Sequence, residues 1–145
     1  MARPRHHQDL VVWQRSIDLA VTTHLFVRTF PVQDRIATGD QIRAAISVAA
    51  NIAEGAGRVH RRHFLQFLSI AQGSVEESVT LAEIVRRIGL GNKKELATID
   101  ELQEQIRRML TTLMKVLAAS SENTHTRHSP PVTRHSGRTR LRPSD

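Results

Sequence analysis

The stretch NIAEGAGR, Asn51–Arg58, places two glycines, an amide and a carboxylate together in a chain otherwise rich in helix-forming residues. Gly55 stands where a helix would end on a left-handed residue, and Gly57 lets the chain reverse its direction. The glycines therefore predict a turn between two helices. Glu54 would lie at the negative end of the first helix, so we expect a nearby arginine to neutralise it.

Asn51 and Glu54 are three residues apart and share one face of the predicted helix. We expect their side chains to form a hydrogen-bonded knot with the loop that follows. This structural role is favoured over a catalytic or ligand-binding one. The cations within reach of the carboxylate are Arg43, Arg58, Arg61 and Arg62.

Segments with helical periodicity lie on both sides of this turn. The preceding one is predicted from about Thr38 to Glu54, with a narrow, alanine-rich apolar side: Ile42, Ala45, Ile46, Ala49, Ile52 and Ala53. The following one is predicted over about residues 61–88, with apolar positions at spacings of four and three: Phe64, Leu68, Ala71, Val75, Ser78, Ala82 and Val85. Gly73, beside Ser74, costs this helix about 1 kcal/mol, which predicts tight packing against another helix there.

Two more amphipathic segments flank this pair. In the first, which Phe30-Pro31 ends, the apolar stripe is Leu10, Trp13, Ile17, Ala20, His24 and Val27. In the last it is Ile99, Leu102, Ile106, Met109, Leu113 and Val116. Four amphipathic helices with short connections, and no alternating strand pattern, predict an all-α fold: an antiparallel up-and-down four-helix bundle.

The composition adds domain organisation and location. The chain of 145 residues has the length of one domain, and the absence of cysteine excludes disulfides and thiolate metal sites. We predict a basic N-terminal arm over residues 1–8, the bundle domain over 9–119 and an Arg-rich tail over 120–145, disordered because it has few aliphatic residues. The N-terminus lacks a signal-peptide pattern and no segment is apolar enough to span a membrane, so we expect a cytoplasmic protein with no membrane partner.

The patterns typical of catalysis and cofactor binding are missing from the sequence. It holds no Walker lysine, nucleophile elbow or dinucleotide fingerprint, and its one Glu-x-x-His pair, Glu122 and His125, lies in the predicted tail. His60 and His63 have arginines between them, which favours a cationic patch over a zinc site. We therefore predict a protein that is not an enzyme, with no catalytic residue, no cofactor and no metal.

The net charge of +7 favours a polyanionic partner. The residues predicted to contact nucleic acid are Arg58, Arg61, Arg62, His63, Arg3 and Arg5, and the tail adds five arginines against two acidic residues. Without tyrosine, and with aromatic residues on apolar helix faces, the chain has no platform for stacking bases. Binding to RNA or DNA would therefore be electrostatic and weakly selective. The alternative is a structural or protein-interaction ring with no nucleic-acid role.

The stretches DLVVWQRSIDL, TFP, QIRAAISVAANIAEGAGR and FLQFLSIAQGSVEES resemble, in order and spacing, the four-helix bundle proteins encoded by intervening sequences of bacterial 23S ribosomal RNA genes. The resemblance covers about Asp9 to Leu117. It implies a small bundle that assembles with itself as a ring-like homopentamer, related in fold to nucleic-acid-associated accessory proteins of diversity-generating retroelements. The chain departs from the pattern at His24, where the family often carries an aromatic residue, at Ile36-Ala37-Thr38, and in its Arg-rich tail.

Overall fold

The computed structural model describes residues 6–125, without the side chains of residues 35–38 and 121–125. A short 3-10 helix, His7–Asp9, precedes four α-helices: α1 (Val11–Val27), α2 (Val32–Ala56), α3 (Arg61–Ile88) and α4 (Lys93–His125). No strand occurs in this part of the chain, which confirms the all-α prediction. Arg3, Arg5 and the tail beyond His125 lie outside the described residues.

Each α-helix contacts the next one along the chain, and α1 also contacts α4. The side chains between them form one apolar core. All seven apolar positions predicted for α3 are buried in it, as are Ile99 and Ile106 of α4. The core is completed by residues from α1 and α2, among them Val12, Leu19, Phe26, Val48 and Ile52.

The buried side of α1 differs from the predicted one. The positions it buries are Val12, Ser16, Leu19, Thr23, Phe26 and Val27. Of the predicted stripe, Val27 is buried, whereas Ile17 is 37% exposed and His24 is exposed as well. Ser16 fits the core because its hydroxyl donates a hydrogen bond to the Val12 carbonyl at 2.7 Å. Because the core positions of α1 include Ser16 and Thr23, the apolar pattern of the sequence did not indicate this side as the buried one.

Several helix ends also differ from the predicted ones. α2 begins at Val32, directly after Pro31, and not near Thr38, because proline fits the start of a helix. α4 continues to His125, six residues beyond residue 119, where the bundle domain was predicted to end. At its start, the Asn92 side chain accepts a hydrogen bond from the Lys94 amide at 2.7 Å and so caps the helix.

Candidate nucleic-acid interface

The turn between α2 and α3 carries the candidate site, which we call the basic loop: Arg58, His60, Arg61, Arg62 and His63. α2 ends at Ala56, and the Gly57 and Arg58 amides close its last turn by donating to the Ala53 and Gly55 carbonyls, each at 3.1 Å. Gly57 has φ −77°, so the turn does not use a left-handed residue. The prediction of a left-handed cap at Gly55 is therefore wrong.

Gly55 is required because α3 leaves no room for a side chain at this position. It lies inside α2, and a Cβ atom added to it would stand 2.6 Å from Cβ of Phe67 and 2.9 Å from Cδ2 of Phe64. Such distances are shorter than real carbon contacts, so no side chain fits there without a shift of α3. Gly55 thus lets α3 return closely against the last turn of α2, and this contact fixes the position of the basic loop.

Glu54 and Arg58 form an ion pair across one turn, with Nη2 of Arg58 2.6 Å from Oε1 of Glu54. The Arg58 guanidinium also lies over the ring of Phe67, 4.9 Å from its centroid. Arg58 is therefore the cation that neutralises Glu54 at the negative end of α2. Because this arginine is held by a carboxylate and a ring, it is a poorer phosphate ligand than its neighbours in the loop.

Asn51 belongs to a different network from Glu54. Its Nδ2 donates to the carbonyl and the hydroxyl of Ser47, at 2.8 and 3.0 Å. The Ser47 hydroxyl lies 2.9 Å from that of Ser74, which joins α2 to α3. Asn51 and Glu54 were expected to share one hydrogen-bond network with the loop, but they belong to two separate networks. Ser47 was missed at the sequence level, although its position four residues before Asn51 placed both on one face.

Arg61 and Arg62 have a different environment from Arg58. Both side chains are exposed, and neither makes an ion pair with another described residue. On either side of them, the rings of His60 and His63 meet edge to face at 5.6 Å between centroids. Two unpaired guanidinium groups with two imidazoles beside them can donate several hydrogen bonds to phosphate oxygens.

Most arginines elsewhere in the described chain are neutralised by carboxylates. These ion pairs include Arg15 with Asp18, Arg43 with Asp40, Arg86 with Glu83 and Asp100, Arg87 with Glu83, Arg107 with Glu76 and Glu104, and Arg108 with Glu104. The hydrogen bond that Arg107 donates to Glu76 raises the pKa of that guanidinium. The arginines on the surface shared by α3 and α4 are therefore paired, unlike Arg61 and Arg62 of the basic loop.

Gly73 does not mark a close approach of another helix within the chain. A Cβ atom added to it would meet nothing within 4 Å, and the residue is exposed. Within the chain, the prediction of tight packing at this glycine is therefore wrong. The contact between the helices is made one residue further on, by the Ser74 hydroxyl.

Other kinds of site find little support in residues 6–125. No group of three or more His, Asp or Glu side chains there is arranged to hold a metal ion. A pocket of about 430 Å³ beside the α3–α4 connection is lined by Arg86 and Asp100, but these two groups are already paired with each other. None of the described helices is long and apolar enough to cross a membrane.

Comparison with known proteins places the chain in a family. The model of the 23S rRNA-intervening sequence protein family matches residues 8–112. A solved structure, that of a protein of unknown function from the S23 ribosomal protein family of Bacteroides thetaiotaomicron VPI-5482, is 23% identical. It covers 72% of this chain and 96% of its own, with a TM-score of 0.66, and shows the shared fold. No curated protein matches the chain. Because the family model matches well over half of its length, the chain belongs to the 23S rRNA-intervening sequence protein family.

Proposed function

We propose that this protein is a non-enzymatic, self-assembling helical bundle that binds RNA or DNA through the phosphates, with little sequence selectivity. The observation that carries the proposal is the pair Arg61 and Arg62, which are exposed and make no ion pair with another described residue, whereas most of the other arginines with described side chains are paired. Unpaired guanidinium groups are free to replace the counterions of a phosphate backbone.

The proposal includes the topology, an antiparallel up-and-down four-helix bundle. The contacts of α1 with α2 and α4, and of α3 with α2 and α4, support it. So do two ion pairs: Arg86 of α3 meets Asp100, whereas Glu76, earlier in α3, meets Arg107, later in α4. In this topology the start of α1, the basic loop and the end of α4 all lie at one end of the bundle, which we call the basic end.

Weak sequence selectivity follows from where the aromatic side chains lie. Phe26, Phe30 and Phe64 are buried, and Phe67 is covered by Arg58. Trp13 is half-buried and contacts the ring of His7. No phenylalanine or tryptophan ring in this part of the chain is therefore free to stack on a base, and phosphate contacts carry no sequence information.

Self-assembly would multiply these weak contacts. The homopentamer is what the resemblance to the family implies, and a ring would present five basic loops to one nucleic-acid strand. Joined sites bind far more tightly than one site alone, because every contact after the first is intramolecular. The cytoplasmic location remains a prediction from the sequence.

The salt dependence of RNA binding tests the nucleic-acid part of the proposal. We expect affinity for a single-stranded RNA to fall with salt, and Arg61→Ala with Arg62→Ala to lower the slope by roughly 1.4, at about 0.7 for each lost phosphate contact. Fluorescence anisotropy with RNAs of unrelated sequence measures both effects. The loss of affinity should be similar for each RNA.

Arg87→Ala with Arg108→Ala is the matched control, since it removes the same charge from the ion-paired surface of α3 and α4. We expect it to change the slope much less. If both double variants lower the slope equally, the basic loop is not the binding site. If the intact protein does not bind RNA or duplex DNA at about 50 mM salt, where such binding is strong, the nucleic-acid function is wrong.

The second candidate function is a protein-interaction ring without a nucleic-acid role. It is favoured by the ion pairs at Arg15, Arg43, Arg86, Arg87, Arg107 and Arg108, which leave no continuous basic surface around the described bundle. The two functions differ in the RNA-binding experiment above, because self-assembly without binding at low salt would leave only this one.

A further inference from the structure

α1 has more apolar surface than the core of a single chain uses. Beside its buried side, it carries a second stripe that includes Ile17, Val21 and His24, at spacings of four and three. Ile17 is 37% exposed and Val21 53% exposed. A helix that is apolar on two sides is typical of one that packs against two neighbours, and one chain fills only the first of these sides.

The second stripe of α1 faces the side on which α2 lies. Trp13, four residues before Ile17, contacts the ring of His7, and the 3-10 helix that holds His7 contacts α1 and α2 and no other helix. On α2, the flank with Ser47 meets α3. The opposite flank, which carries Ile46, therefore faces α1, and Ile46 is 51% exposed. Ile17, Val21, His24 and Ile46 together form what we call the α1–α2 face.

α3 also carries a second stripe, next to the flank where Phe67 and Ser74 meet α2. It consists of Ile70, Gly73, Glu77, Leu81, Ile84 and Ile88, at spacings of three and four. Ile70 is 52%, Ile84 47% and Ile88 61% exposed. We call it the outer stripe of α3.

The α1–α2 face and the outer stripe complement each other in chemistry. Both are mainly aliphatic, and each holds one polar group, an imidazole at His24 and a carboxylate at Glu77. Both polar groups are exposed, and neither makes a hydrogen bond or ion pair with another described residue. A ring N–H of histidine can donate to a carboxylate. Gly73, whose lack of a side chain has no reason within the chain, would let another backbone approach the stripe closely.

We propose that the α1–α2 face of one chain packs on the outer stripe of α3 of a second copy of this chain. The inference rests on the self-assembly in the proposed function and names the surfaces that would carry it. Because the two surfaces lie on different sides of the bundle, each copy keeps one of its two surfaces unused after the first contact. Contacts of this head-to-tail kind build closed rings or open filaments.

Two charged substitutions at exposed positions test the pairing. Val21→Glu blocks the α1–α2 face and Ile84→Glu blocks the outer stripe, while both residues are about half exposed, so the monomer should fold normally. We expect each variant alone to be monomeric by light scattering, with the helical circular dichroism of the parent. Thr112→Glu, at an exposed position of α4 outside both surfaces, is the control that should assemble like the parent.

Mixing the two variants gives the decisive result. One variant keeps an intact stripe and the other an intact face, so the mixture should form a 1:1 dimer of twice the 16.3 kDa chain mass. It should stop there, because the blocked surfaces both carry glutamate. The measurement is made well above the concentration at which the parent assembles.

The outcomes separate the two proposals. If the parent is monomeric, self-assembly itself is wrong. If the parent assembles and the single variants assemble equally well, these surfaces are not the interface, although self-assembly stands. If the single variants are monomeric but their mixture gives no dimer, the two surfaces do not pair with each other and the inference is overturned.

Discussion

At the scale of single residues, the glycines show what a sequence reveals and what it hides. Gly55 was predicted to provide a turn conformation and Gly73 a close approach, but it is Gly55 that provides a close approach, and Gly73 is open to solvent. A glycine in the sequence indicates that a side chain is absent, but the reason depends on what lies opposite. That neighbour, Phe67 in the case of Gly55, is twelve residues away and on another helix.

Alanine substitutions should separate the two glycines. Gly55→Ala should destabilise the fold, because overpacking costs about 1–3 kcal/mol, partly offset by the better helix propensity of alanine. Gly73→Ala should stabilise it by up to about 1 kcal/mol. Urea unfolding in the Ile84→Glu background, where the proposed contact between copies is blocked, measures the effect on the single chain. Equal stability of the two variants would show that Phe64 and Phe67 move aside easily.

At the scale of helices, prediction succeeded where the buried stripe is the more continuous of two apolar stripes. α3 has a strong core stripe, and every predicted core position on it is buried. α1 has two stripes, and the sequence pattern led to the exposed one because Ser16 and Thr23 interrupt the buried one. The Asn51 and Glu54 interactions were predicted only in part for a similar reason. Their partners Ser47 and Arg58 are near in sequence, but nothing in the pattern shows that Ser74 of α3 completes the network of Asn51.

α3 and α4 are joined at the surface by a charge cluster around Glu83. Hydrogen bonds from Arg87 and Arg86 lower the pKa of the Glu83 carboxyl below its ordinary value of 4.5. Arg86 also bonds Asp100 of α4, and its own pKa is raised, first by the bond to Glu83 and then by that to Asp100. The cluster therefore favours the charged forms of Glu83 and Arg86.

This shift predicts a pH dependence of stability. A carboxyl whose pKa is lower in the folded state stabilises the fold above its unfolded pKa, near 4.5, and this contribution is lost as the pH falls through the folded value. Glu83→Gln should thus melt at a lower temperature than the parent at pH 7, by a small amount because the group is exposed. Thermal melts from pH 7 to pH 3 should show the difference shrinking. A difference that does not change with pH would mean that the charge of Glu83 is not its cause.

At the scale of the whole molecule, the tail was predicted from composition to be disordered, and residues 126–145 lie outside the described part. Deleting these residues should leave helical content and the size of the assembly unchanged. It should weaken RNA binding independently of Arg61 and Arg62, so the free-energy losses of the two changes should add, as they do for separate sites. A large fall in melting temperature on deletion would contradict the prediction of disorder. Light scattering, circular dichroism and anisotropy together make the measurement.

In the up-and-down topology that we propose, the basic loop lies at the same end of the bundle as the first and the last described residues, and this has a consequence for any closed ring of these bundles. Rotational symmetry about a single axis turns every copy the same way up. If the bundles stand along the ring axis, all the basic loops, with the starts of α1 and the ends of α4, would lie on one side of the ring, and the α1–α2 and α3–α4 connections on the other. The two sides of such a ring therefore differ: the front carries the basic loops, and the back carries the α1–α2 and α3–α4 connections. A nucleic-acid strand could lie along the front and cross from one subunit to the next, while the back stayed open to a different partner.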